Sequence, residues 1–217
     1  MHKKLKKLFE TKKRKAMIIG KDFVWLHFPK CAGTSTEFLL RKAIPPALEV
    51  QFDPIDPANV IWHHDIEQRE KYLGNSLSGK DVICNFRRLP NWIISRIRYE
   101  QRRTGQIVLK EVYCKGNFFE QNGFENHADN YVRKYTKKEV TYWLRVEYLQ
   151  EDFVNVFSKY FNLDNSYIAE SFLKKKNSSD WDGDIYKWFE KDDLKTLYSS
   201  CPRWAALELE IFGNTLQ

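Results

Sequence analysis

The decapeptide HFPKCAGTST, residues 27 to 36, constrains this chain more than any other feature. An aromatic, apolar run (Phe23, Val24, Trp25, Leu26) stops there in proline, lysine and glycine. It passes three consecutive hydroxyl residues and resumes with Phe38, Leu39 and Leu40. That order is a strand, a glycine-containing loop and a helix N-terminus with polar donors at the junction. Such a junction binds anions, because exposed backbone N–H groups and the positive end of the helix dipole attract phosphate or sulfate; Lys30 adds a full charge.

The rest of the chain predicts an α/β fold. A short apolar run, NVIWH (59 to 63), follows the Pro-rich linker PPALEVQFDPIDP, and a third, DVICNF (81 to 86), leads into the helical NWIISRIRYEQRR. The stretch from Thr104 to Phe124 is polar, aromatic and Gly-punctuated, and reads as a long loop or lid. Val140 to Val146 is a further strand, LQEDFVNVFSKYF an amphipathic helix, KKKNSSDWDGD a loop, and two helical stretches close the chain from Ile185 to Phe212. Strand-length runs alternating with helices imply a central, mostly parallel sheet flanked by helices, with ligands at the carboxyl ends of its strands.

Charge needs to be located before it is interpreted. The net charge of +7 lies entirely in residues 1 to 15, where Lys3, Lys4, Lys6, Lys7, Lys12, Lys13, Arg14 and Lys15 stand against Glu10 alone; the other 28 basic and 28 acidic residues cancel. The expected organisation is a basic N-terminal arm, 1–16, and one domain, 17–217. With no global positive field on the body, no nucleic-acid partner is expected. The arm reads first as a solvated or helical lead-in, and second as a contact for an anionic polymer or membrane surface. No apolar run is long enough for a transmembrane segment, and no hydrophobic segment of a secretory signal follows the basic residues, so the expectation is a cytoplasmic protein. Cys31, Cys84, Cys114 and Cys201 lie 53, 30 and 87 residues apart, without paired metal-ligand spacing, and are expected as reduced thiols.

Two uses of the first loop fail on residue order. A Walker loop needs lysine directly after its last glycine, whereas Lys30 precedes Gly33. A cysteine-dependent phosphatase built on Cys31 would need arginine six positions on, where Glu37 stands. What HFPKCAGTST does resemble is the 5′-phosphosulfate loop of sulfotransferases that use 3′-phosphoadenosine-5′-phosphosulfate (PAPS), in particular the carbohydrate-modifying branch with its PK-small-small-GT-S pattern.

That resemblance implies a P-loop-NTPase-like sulfotransferase fold, PAPS as sulfuryl donor, no metal, and a hydroxyl-bearing acceptor such as a carbohydrate or small molecule. It also implies residue roles. Ala32, Gly33, Thr34, Ser35 and Thr36 would surround the 5′-phosphate, and Lys30 would neutralise charge growing on the bridging oxygen as the bond to sulfur breaks. The family's second pattern is an arginine at a strand end and a serine eight residues later, together holding the 3′-phosphate. CNFRRLPNWIIS supplies Arg87 and Ser95 at that spacing. The family's proline, two places after the arginine, is matched from Arg88 to Pro90 instead, so the choice between Arg87 and Arg88 stays open.

Related enzymes place a histidine base after the second strand, twenty-odd residues before this arginine. His63 and His64 stand there, His64 being 23 residues before Arg87. A neutral imidazole, with an ordinary pKa near ~6.5, accepts an acceptor's proton near neutral pH. Alternation along a strand turns only one of the pair toward the site. LRVEYLQEDF and KKKNSSDW are similar to the family's late strand and its closing Lys/Asn/Ser loop. A protein of another class, binding a nucleotide or partner on the same fold without transfer, would need neither Lys30 nor a base.

Overall fold

The computed structural model describes residues 18–45, 48–53, 61–119, 126–163, 168–169 and 183–216. The basic arm and most of the KKKNSSDWDGD loop lie outside these residues. Among the described residues five strands form one sheet: β1 (Ile18–Ile19), β2 (Phe23–Leu26), β3 (Gln51–Phe52), β4 (Asp81–Phe86) and β5 (Tyr142–Arg145), in the order β3-β1-β2-β4-β5. Among these residues the α-helices described from end to end are α1 (Gly33–Ala43), α2 (Ile66–Leu73), α3 (Leu89–Thr104), α4 (Lys110–Tyr113), α5 (His127–Tyr135), α6 (Leu149–Phe157), α7 (Lys191–Ser200) and α8 (Pro202–Phe212).

The sheet is mixed, which corrects the mostly parallel expectation. Strands β2, β4 and β5 are parallel, while β1 pairs antiparallel with both β2 and β3. The antiparallel half comes from segments without a legible strand pattern: two isoleucines before the Gly20 turn, and Gln51 and Phe52 inside the Pro-rich linker. The NVIWH strand is corrected too. Of its described residues, Ile61–His63 form a 3-10 turn, and β4 lies directly beside β2. Side chains use the backbone carbonyls that a ladder would have used. The Ile61 oxygen accepts from Arg69 Nη2 at 3.2 Å, and the His63 oxygen from Lys134 Nζ at 2.8 Å and Tyr135 Oη at 3.0 Å.

Alternation along the strands divides the core in two. Phe23, Trp25, Ile83 and Leu144 face α1 and α6, meeting Leu39, Leu40, Phe153 and Phe157. Val24, Leu26, Val82, Cys84 and Phe86 face α3, α5, α7 and α8, meeting Trp92, Ile93, Val132, Leu197 and Trp204. Each large side chain fully withdrawn from water contributes about 1.5–3 kcal/mol, so these two layers hold the strands in register. Local signals set the helix ends. Asp65 and Gln68 form a capping box at the start of α2, and Gly105, at φ 74°, closes α3 in the left-handed conformation that glycine adopts freely.

Register decides where a ligand can sit. Leu26 pairs with Cys84, and Phe86 with Arg145. The segments after β2, β4 and β5 therefore leave the sheet at the same carboxyl end of its parallel strands, carrying Lys30, Arg87 and Glu147.

Candidate functional site

Between β2 and α1 the backbone reverses through two left-handed residues, Lys30 at φ 65° and Ala32 at φ 56°. Neither is glycine, so both conformations are held against their steric preference by the surroundings. Three indole or amide contacts supply the hold. Trp92 Nε1 donates to the Pro29 oxygen at 2.9 Å, and Trp25 Nε1 donates to Asn85 Oδ1 at 2.7 Å. Asn85 Nδ2 in turn donates to Thr36 Oγ1 at 2.9 Å, and Thr36 Oγ1 donates to the Ala32 oxygen at 3.3 Å.

Left-handed residues alternating along a turn aim successive N–H groups into one concavity, the backbone geometry that receives anions. Here it runs into α1, whose N-cap Ala32 makes no side-chain cap. The Ser35 and Thr36 amides donate back to the Ala32 oxygen, which leaves the Gly33 and Thr34 amides as the first-turn donors without an acceptor among the described residues. No acidic residue lies in that first turn, and Glu37 just beyond it is buried and paired with Arg41 at 2.8 Å.

The predicted site residues fall into distinct places. Lys30, Ala32, Gly33, Thr34 and Ser35 come together at the junction, with the Lys30 ammonium 4.7 Å above the Tyr99 ring. Thr36 is fully buried, and its hydroxyl braces the loop from within the core. Arg87 joins the loop, its Nη1 donating to the Lys30 oxygen at 3.5 Å and its backbone oxygen accepting from Trp204 Nε1 at 3.1 Å. Arg88 turns away into a buried cluster, with Nη1 3.2 Å from Glu208, Nη2 2.8 Å from Asn214 Oδ1, and the Phe212 ring beneath it. Ser95 lies on α3 one turn from Asn91 and one turn from Tyr99, a partly exposed face shared with the site.

The histidines also separate, although from a turn rather than a strand. The His63 ring stands edge-on to His27, centroids 5.2 Å apart. The His64 ring lies 5.9 Å from Tyr72 on α2, and burial, then Arg69 and Lys134, lower its pKa. His27 is the residue that sequence reasoning missed. It is buried, stacks on Trp25 at 5.7 Å, and covers Gly33 so closely that a Cβ there would lie 2.0 Å from its Nε2. Its carbonyl and that of His63 share the Tyr135 hydroxyl, at 3.1 and 3.0 Å. The signal available in sequence was its place at the end of β2, directly before the loop.

Cys31, inside the loop, is buried and free, and burial raises its thiol well above the ordinary range, with Arg87 opposing. It is packing, and no thiolate nucleophile. The other three cysteines are also buried and free. Among the described residues no group of three or more His, Cys, Asp or Glu side chains could hold a metal ion, and no helix is long and apolar enough to cross a membrane. A separate groove of about 460 Å³, lined by Val132, Trp143, Leu207 and Lys138, contains none of the predicted site residues. Compared with known proteins, the chain matches no family model, no curated protein and no solved structure.

Proposed function

We propose that the chain transfers a sulfuryl group from PAPS to a hydroxyl acceptor, on a sulfotransferase-like α/β fold. One observation carries it: the left-handed pair Lys30 and Ala32 opens the Gly33 and Thr34 amides beside Arg87, so backbone donors, an ammonium and a guanidinium converge at the carboxyl ends of β2 and β4. The fit to a bisphosphorylated nucleotide rests on a further detail. Arg87 Nε is buried with no hydrogen-bond partner among the described residues; it is ion-paired with Glu147 at 3.8 Å, too far for a hydrogen bond. A buried guanidinium N–H without a partner is costly unless something anionic fills the place.

The donor supplies a sulfur bonded to a good leaving group; the acceptor oxygen bonds to that sulfur as the bridging bond breaks. The residues supply the rest. The loop amides and the hydroxyls of Thr34 and Ser35 hold the 5′-phosphate, with Thr36 keeping the loop in shape. Lys30 stabilises the charge that appears on the leaving oxygen. Arg87 and Ser95 hold the 3′-phosphate. Of the two histidines we assign the base to His63, because its ring meets His27, which lies on Gly33 at the head of α1.

Adenosine 3′,5′-bisphosphate should raise the melting temperature. A ligand selective for the native state contributes about 2.7 kcal/mol at 100 times its dissociation constant. No shift at millimolar ligand sinks the proposal. Stabilisation without transfer of labelled sulfate from PAPS to any sugar or small hydroxyl acceptor favours a nucleotide-binding protein instead. Transfer activity retained in Lys30→Ala removes the mechanism.

A further inference from the structure

Beside Arg87 the structure leaves a second unfilled polar atom, of the opposite kind. Glu147, on the turn after β5, accepts a hydrogen bond from Asn91 Nδ2 at 2.7 Å, and the same oxygen lies 3.8 Å from Arg87 Nε. The carboxylate fixes which way the Asn91 amide points, because the reverse orientation would set two oxygens against each other. Asn91 Oδ1 is thereby left as an acceptor, buried and without a hydrogen-bond partner among the described residues.

A donor in Arg87 Nε and an acceptor in Asn91 Oδ1, on either side of the Glu147 carboxylate that bonds the Asn91 amide and lies 3.8 Å from Nε, ask for a ligand that carries an anion next to a hydroxyl. Ribose phosphorylated at its 3′ position has that arrangement, with the 2′-hydroxyl on the adjacent carbon. Resting on the proposed PAPS site, we infer that Asn91 accepts a hydrogen bond from the 2′-hydroxyl of the nucleotide and so selects ribonucleotide over deoxyribonucleotide, with Glu147 as the positioning residue for its amide. Asn91 lies four residues after Arg87 and four before Ser95, the two residues assigned to the 3′-phosphate, so its side chain stands on the α3 face that the phosphate would meet.

The test is calorimetric titration of the full chain with adenosine 3′,5′-bisphosphate and with its 2′-deoxy analogue. Wild type should prefer the ribonucleotide about tenfold, the effect of one hydrogen bond whose loss leaves a buried acceptor unpaired. Asn91→Leu should bind both with the weaker affinity and reduce the preference to within about twofold of unity. Glu147→Ala should also reduce the preference, by freeing the amide to turn, while raising affinity for both ligands through removal of a negative charge. A merely structural role for Asn91 would weaken both ligands equally and leave the ratio intact. Equal binding of the two nucleotides by wild type overturns the inference and leaves the proposed function standing. Failure of wild type to bind either overturns both.

Discussion

Replacing Gly33 by alanine tests the loop geometry with one methyl group. A Cβ at this position would lie 2.0, 2.1 and 2.6 Å from Nε2, Cδ2 and Cε1 of His27. Contact between such atoms is favourable only near ~3.5–4 Å, so ring and helix must separate by more than about 1 Å. The ring has little room to yield, being buried between the Trp25 stack and the His63 edge at 5.7 and 5.2 Å. Overpacking of this kind costs about 1–3 kcal/mol. Against it stands the helix preference for alanine over glycine, at most about 1 kcal/mol and less at a first helical position. The clash wins, and we expect Gly33→Ala to lose about 1–2 kcal/mol in urea unfolding followed by tryptophan fluorescence. In the His27→Ala background the ring is gone, so the same substitution should be neutral or slightly stabilising, a coupling of about 1 kcal/mol or more in the double-mutant cycle. Bisphosphate affinity should fall in the single variant, because the Gly33 amide moves with the helix. A Gly33→Ala protein as stable as wild type would refute the close packing of His27 on the loop.

The two arginines should fail in opposite assays. Arg88→Ala strips the cation from Glu208, which is fully buried, and should destabilise by about 3–5 kcal/mol. Arg87→Ala should change stability by no more than about 1 kcal/mol while bisphosphate affinity falls on the order of ten- to a hundredfold; the reverse pattern would give the 3′-phosphate to Arg88. In transfer assays His63→Ala should lose a factor of roughly a hundred and His64→Ala much less. Because the His64 pKa is lowered, an acid limb lying below the ordinary histidine value and abolished by His64→Ala would move the base to that residue. Burial, then Arg96, brings the His127 pKa down to about 4. The unfolded chain binds this proton near ~6.5, so stability is full above that pH and falls as pH drops from there toward 4, by up to about 1.4 kcal/mol per unit. His127→Phe should flatten that limb in urea titrations, and an unchanged slope would exclude His127 as its source.

What the sequence determined by itself was local. The apolar run of β2, the proline and glycine that stop it and the resumed helix of α1 are written within twenty residues, and so is the strand-to-helix step from β4 to α3. Each depends on near neighbours along the chain, through side-chain periodicity and turn chemistry, so each was legible. The sheet's antiparallel half was not, because Ile18, Ile19, Gln51 and Phe52 become strands only through the partners that β1 and β2 offer them. The same holds for Ile61–His63, whose carbonyls are taken by Arg69, Lys134 and Tyr135 from two other helices. The site divides along the same line. Lys30, Arg87 and Ser95 were visible as residue types at a spacing, but the spacing left two arginines and two histidines standing. Tertiary contacts separate them: Glu208 and Asn214, well over a hundred residues along the chain, draw Arg88 into the core, while His27 draws His63 toward the loop and Tyr72 keeps His64 at α2. Asn91 and Glu147 acquire meaning only from each other, because a buried acceptor is recognised by what fails to reach it, and that is a property of three-dimensional neighbours alone.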